Sequence, residues 1–196
     1  MTARTIAIAA ATLAALLLCS SAARAGDIYL SAQFDLLPAG RIDLGGERFD
    51  LDESAGFGAT VEWAFVDFLT VGLALRFRSI KTGSFGDDAM SELLLDPTLR
   101  LLYPGDHFEP YVRGRIGGSF GWPADLEAGG DLDFGAGWNW GVHGGLLARV
   151  WILGVFVEAG YGWSKIKSHV RGLPSERSFE IETRTFELGL GLAVIF

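Results

Sequence analysis

Six arginines, Arg76, Arg78, Arg100, Arg113, Arg115 and Arg149, and four carboxylates, Glu62, Asp96, Glu158 and Glu187, stand at alternate positions within otherwise apolar or small-residue segments. A guanidinium group binds a carboxylate or a phosphate through a planar fork of donors, so such a set has two uses. It can close on itself as an ion-pair network, or it can line a path for anions. The three histidines offer less. Nucleophilic catalysis needs a base within hydrogen-bond reach of a nucleophile and a third group that orients the base. His107 falls in a short turn, His169 stands beside Ser168 in the last loop, and His143 lies among glycines. None has a serine and a carboxylate at a spacing that declares a triad, so no catalytic residue is assigned and the protein is read as a non-enzyme. His143 is read as an interior hydrogen-bonding residue. Cys19, the sole cysteine, falls in the leader, which excludes a disulfide framework or a thiolate metal site from the rest. No cofactor and no metal is expected.

The elements that must position these charges show strict period-two alternation, the signature of strands. Ile28, Leu30, Ala32, Phe34 and Leu36 alternate with Tyr29, Ser31, Gln33 and Asp35. Phe57 to Phe65 repeats the pattern around Glu62, and Leu69, Val71, Leu73, Leu75 and Phe77 oppose Thr70, Gly72, Arg76 and Arg78. Further segments run from Leu93 to Tyr103, around Val112, Ile116 and Phe120, from Trp138 to Arg149, from Val155 to Trp163, and from Phe186 to the terminal Phe196. Eight strands of this kind, each near the roughly 9–11 residues that cross a bilayer at a tilt, predict an all-β, antiparallel, up-and-down transmembrane barrel. The connections alternate in length. Residues 37–54, 79–91, 122–137 and 165–180 are long; those at Val66-Asp67, Pro104-Gly105-Asp106 and Trp151-Ile152 are short. Long outer loops and short periplasmic turns are how outer-membrane barrels are sorted.

Arg4, an apolar run from Ile6 to Leu18 and Ala23-Arg24-Ala25 read as a cleavable signal peptide over residues 1–25, leaving 26–196 as one barrel domain. A lipobox at Cys19 is disfavoured by Leu18, where a small residue is required. The formal net charge is −8, and removing the leader with Arg4 and Arg24 makes it more negative. Nucleic acid, which calls for a basic patch, is therefore not an expected partner. The 27 glycines and high aromatic content suit a sheet.

Which face is wet decides between a membrane barrel and a soluble ligand carrier, which turns its apolar stripe inward. The charges at mid-strand mark one stripe as interior. The other stripe carries none at mid-depth, where Arg or Lys costs about 2–4 kcal/mol in lipid. Aromatics gather at strand ends, with Trp63, Phe65, Phe68 and Tyr103 near the short turns and Trp122, Trp138, Trp140, Tyr161 and Trp163 near the long loops. Such girdles suit the two interfaces. Pro97 interrupts the fourth segment, and a bulge or local irregularity is expected there because proline cannot donate to a ladder.

On this pattern the chain resembles the small eight-stranded outer-membrane β-barrels of the OmpA transmembrane domain and OmpX type. The resemblance implies insertion in a Gram-negative outer membrane as a monomer, through the barrel assembly machinery. The C-terminal signal that this machinery reads maps onto Gly191, Val194 and Phe196; no further domain is expected beyond Phe196. Lipid A deacylases and palmitoyltransferases exist among such barrels, so a lipid-modifying enzyme stays an alternative, beside a narrow anion channel and a soluble carrier. The preferred role is structural, in envelope integrity or surface interaction. An eight-stranded interior is only wide enough for side chains, which favours the ion-pair plug over the anion path. Lys165, Lys167, Arg171 and Arg177, with His169, form a basic patch at the height of lipopolysaccharide phosphates. The first and third loops are acidic through Asp43, Glu47, Asp50, Asp52 and Glu53, and through Asp125, Glu127, Asp131 and Asp133. Neither spacing matches a calcium loop.

Overall fold

The computed structural model of the protein describes residues 26–44, 46–81, 89–105, 107–122, 131–132, 135–171 and 177–196. The expected leader, with Cys19, lies outside the described residues, as do Asp125, Glu127 and Asp133 of the third loop. Ten strands follow in chain order: β1 (Ile28–Leu44), β2 (Glu47–Asp50), β3 (Ser54–Val66), β4 (Leu69–Lys81), β5 (Ala89–Leu102), β6 (Phe108–Trp122), β7 (Asp131–Leu132), β8 (Gly135–Val150), β9 (Leu153–Arg171) and β10 (Arg177–Ile195). Eight of them form an antiparallel meander that closes where β10 pairs with both β9 and β1. β2 only folds back on the outer end of β1, and β7 on the outer end of β9.

Side-chain orientation answers the question that alternation leaves open. Leu30, Phe34, Phe57, Val61, Leu73, Leu75, Leu99, Ile116, Val142, Val157 and Leu190 are exposed on the outer wall, while the arginines and carboxylates of the same strands are buried. The soluble-carrier reading is thereby overturned: a wall this apolar needs hydrocarbon around it. Trp138 and Trp163 pack edge to face at 4.5 Å near the long connections, and Trp63 and Phe65 at 5.6 Å near the short ones.

The strands run further than the sequence pattern predicts. β9 and β10 have 19 residues each, about 60 Å of strand at ~3.3 Å per residue. At a tilt of ~45° that spans roughly 40 Å, against an apolar band of ~25 Å. Much of what alternation assigns to loops at 37–54 and 165–180 is therefore sheet standing above the bilayer. The physical reason is that, clear of lipid, an outward position no longer has to be apolar, so the stripe fades while the ladder continues.

Two irregularities matter. In β1 the register with β10 slips between Leu36 and Ala39, so that Leu37 and Pro38 together oppose Glu187. One extra residue reverses every later side chain: Pro38, Ala39 and Arg41 face out and Ile42 faces in. At Pro97 the pairing with β4 is continuous, whereas the pairing with β6 lapses between Leu95 and Thr98 and resumes in the same register. The irregularity expected there is present without a bulge.

The interior is layered. At the short-turn end Tyr29, Leu102, Tyr111, Leu147, Phe156 and Ile195 form a buried apolar cluster. At the long-connection end Ile42, Leu51, Ile80, Ile166 and Ile181 form another, with Phe49 and Met90 against it. The charges lie between the two. Each large apolar side chain so buried contributes about 1.5–3 kcal/mol.

Candidate functional site

The charged layer is built by the inward positions of β1, β3, β4, β5, β6, β9 and β10. Glu187 is its hub, and its carboxylate accepts from Arg78 Nη1 at 2.7 Å, Arg76 Nη1 at 3.1 Å and Arg115 Nη2 at 2.5 Å. His143 Nε2 lies 3.1 Å from the same carboxylate, and Thr185 Oγ1 donates to it at 3.0 Å. Arg76 also reaches Asp96 at 3.4 Å and Asp35 at 3.8 Å, and Arg78 reaches Glu92 at 2.5 Å. A second knot lies toward the short turns. Glu62 meets Arg100 at 3.1 Å and Arg113 at 3.3 Å, and Glu158 meets Arg113 at 3.0 Å and accepts from the Tyr111 hydroxyl at 2.9 Å. The Arg100 guanidinium stacks over Tyr29 at 4.5 Å, and Arg113 over Phe156 at 5.8 Å, so the apolar cluster also caps the charges by cation–π contact.

Sequence and geometry meet in the glycines of β8 and β9. A Cβ at Gly141 would meet Arg115 Nε at 2.6 Å, and one at Gly162 would collide with the Glu187 carboxylate. Glycine at these inward places leaves room for the long side chains of the neighbouring strands to cross into the lumen.

Nine of the ten charges singled out from the sequence, Glu62, Arg76, Arg78, Asp96, Arg100, Arg113, Arg115, Glu158 and Glu187, lie in this layer. Arg149 does not, which corrects its placement in the lumen network. It sits below the inner apolar cluster, half-buried, 3.1 Å from Asp27 and 3.9 Å from Glu109. Its position beside the Trp151-Ile152 turn puts its side chain past the seal. Asp35, Glu92, His143 and Tyr111 join the network without having been assigned to it. Glu92 is missed because alternation fades beyond Leu93, and Asp35 because the alternating segment that holds it, 28–36, carries no arginine.

Outside the lumen, Lys165 Nζ is 2.7 Å and Lys167 Nζ 3.7 Å from Glu180 on the neighbouring strand. Arg171 and Arg177 end β9 and begin β10, and their side chains, like that of His169, lie outside the described residues. Gly191 and Val194 lie at the end of β10, and Phe196, one residue beyond it, is exposed and hydrogen-bonded through its backbone to Ile28. Among the described residues no group of three His, Cys, Asp or Glu is placed to hold a metal ion.

No protein-family model and no curated protein matches the sequence. Solved structures do. The outer membrane protein AlkL superposes with a TM-score of 0.61 at 18% identity, over 90% of this chain and 93% of that one. OprG from Pseudomonas aeruginosa gives 0.58 at 16% identity, over 88% and 96%. Neisserial surface protein A gives 0.51 at 16% identity, over 86% and 98%. With the closed meander, the apolar wall and the charged lumen described above, these likenesses establish that the chain has the fold of the small eight-stranded outer-membrane β-barrels.

Proposed function

We propose that the protein is a sealed, non-catalytic barrel of the outer membrane that supports envelope integrity and presents its outer rim to lipopolysaccharide and surface partners. The observation that carries this reading is the layering of the interior: an ion-pair network enclosed between two apolar clusters. Charges in such a place are paired with each other and stiffen the cylinder; a conducting path would need them wet. His143 is part of that network, held against Glu187 in the barrel's centre, where no substrate reaches it. The rim is the surface left for function, as it is for scaffolds that carry their binding groups on connecting segments. Lys165, Lys167, Arg171 and Arg177 belong to that rim as phosphate contacts. The barrel inserts as a monomer, its Gly191, Val194 and Phe196 being read by the assembly machinery, and nucleic acid is no partner of so acidic a chain.

Single-channel recording in planar bilayers tests the reading. The purified protein is expected to give no stepwise conductance in molar salt. Steady, anion-selective steps would overturn it in favour of an arginine-lined channel.

A further inference from the structure

The bulge in β1 places Arg41 directly across the ladder from Arg184 of β10, both outward and exposed, at 72% and 59% of their side-chain surface. Two rungs further out, on the same face, Asp43 is paired with Glu182. Cross-strand neighbours of like charge are destabilising, and a wall with free choice would alternate them. Each arginine has a carboxylate partner that a phosphate would have to displace or share. Asp50, itself 90% exposed, meets Arg41 only at 3.5 Å, and Glu182 takes Arg184 through Nε and Nη2 while also accepting from Trp163.

Below the two guanidinium groups, toward the bilayer, lies an open groove of ≈ 520 Å³. Pro38, Ala39 and Gly40 after the bulge, Tyr161 and Phe186 line it together with Leu51, and the Asp50 carboxylate stands at its edge with the two arginines. Gly40, between the outward Ala39 and Arg41, faces the lumen, where a Cβ would meet the Arg184 carbonyl oxygen at 2.6 Å and the buried Leu51 Cδ1 at 2.7 Å. The groove thus passes from hydrocarbon, beside Phe186, to a pair of cations at the level where the outer leaflet's headgroups begin. This is the polarity sequence of an acylated, phosphorylated molecule, and two guanidinium groups on cross-strand partner residues can turn from Asp50 and Glu182 onto one tetrahedral phosphate.

We propose that Arg41 and Arg184 seat a phosphate of a phosphorylated glycolipid of the outer leaflet, with an acyl chain of that lipid lying in the groove along Tyr161 and Phe186. The proposal rests on the reading of the rim as a lipopolysaccharide-facing surface, and it places the principal contact on the β1–β10 wall instead of at the Lys165–Arg177 end of the last hairpin. The occupant is a lipid because the groove opens onto the hydrocarbon band; free phosphate would gain nothing from its apolar residues.

Binding is read by native mass spectrometry of the detergent-solubilised full barrel, with bis-phosphorylated lipid A, its dephosphorylated form, phosphatidylglycerol and inorganic phosphate as probes. Wild-type protein is expected to retain bis-phosphorylated lipid A at least tenfold better than the other three. R41Q/R184Q loses that advantage, K165Q/K167Q keeps it, and E182Q, which releases Arg184, binds more tightly. Each variant is first shown to run as the compact, heat-modifiable species. Equal retention by R41Q/R184Q, no tightening by E182Q, or equal retention of phosphatidylglycerol overturns the assignment. Loss in K165Q/K167Q alone moves the contact to the last hairpin and overturns this site while leaving the rim reading intact. Conductance, scored separately, is what removes the sealed-barrel reading.

Discussion

Glu187 holds Arg76, Arg78 and Arg115 on its two oxygens at the centre of the barrel, and each of those guanidinium groups is almost wholly out of water. Replacing it with the isosteric amide keeps the volume and removes the charge, so three desolvated cations lose their common partner. Breaking a buried pair this way costs about 3–5 kcal/mol. Glu187→Gln is therefore expected to lower unfolding stability by at least about 3 kcal/mol, measured by urea titration of the barrel in lipid vesicles. A loss below about 1 kcal/mol, the value of an exposed pair, would show the lumen to be wet. At this scale the sequence was partly legible. Arginines at mid-strand are visible because they break an apolar segment. Glu92 and Asp35 are not, since one lies where the outward stripe fades and the other resembles an ordinary inward polar residue.

At the scale of single elements, turns and hairpins carry features that alternation does not encode. Trp151, at the tip of the β8–β9 turn, has φ 58° and is 89% exposed. That conformation costs a bulky L residue about 1–2 kcal/mol, which glycine avoids. Trp151→Gly should raise the unfolding free energy by about 1 kcal/mol in detergent micelles; a decrease would mean that the indole's contact with the headgroup region outweighs the strain. The upper β9–β10 ladder responds to pH. The Lys165 ammonium holds the Glu180 carboxyl below its ordinary value of 4.5, and the Trp163 N–H followed by Arg184 does the same for Glu182. A carboxyl depressed in the folded state contributes stability above its unfolded value, and that contribution is lost as pH falls through the folded one. Amide exchange at Ile181–Thr185 should be unchanged between pH 7 and pH ~5, after correction for the intrinsic rate, and should accelerate only below pH ~4. Acceleration already near pH ~6 would point to histidine instead of these carboxylates. The β1 bulge was illegible for a related reason: Leu37 and Pro38 look like the start of a loop, and only pairing with β10 reveals that the strand resumes with reversed parity.

For the molecule as a whole, the outer wall and the lumen are two readings of one alternation, and they differ in how sharply depth matters. Inside, a charge at any level finds a partner or is sealed by the apolar clusters at either end. Outside, cost depends on distance from the membrane's midplane, where nothing solvates a guanidinium group. Leu73 stands mid-strand in β4 opposite Pro97, and Leu101 stands opposite Leu69 beside the short turn, both exposed on the wall. The strand count, closure and orientation follow from apolar side chains at places such as these, which is why the architecture could be read without coordinates. The two interior seals could not. Tyr29, Phe156, Ile42 and Ile166 share the inward parity of the charges, and alternation by itself assigns no chemistry to that face. Arginine introduced along the outer wall should report the bilayer directly: Leu73→Arg is expected to cost about 2–4 kcal/mol and Leu101→Arg at most about 1 kcal/mol in vesicle refolding. Equal costs at the two depths would mean that the wall does not face lipid, and the sealed cylinder would then need another explanation for its apolar exterior.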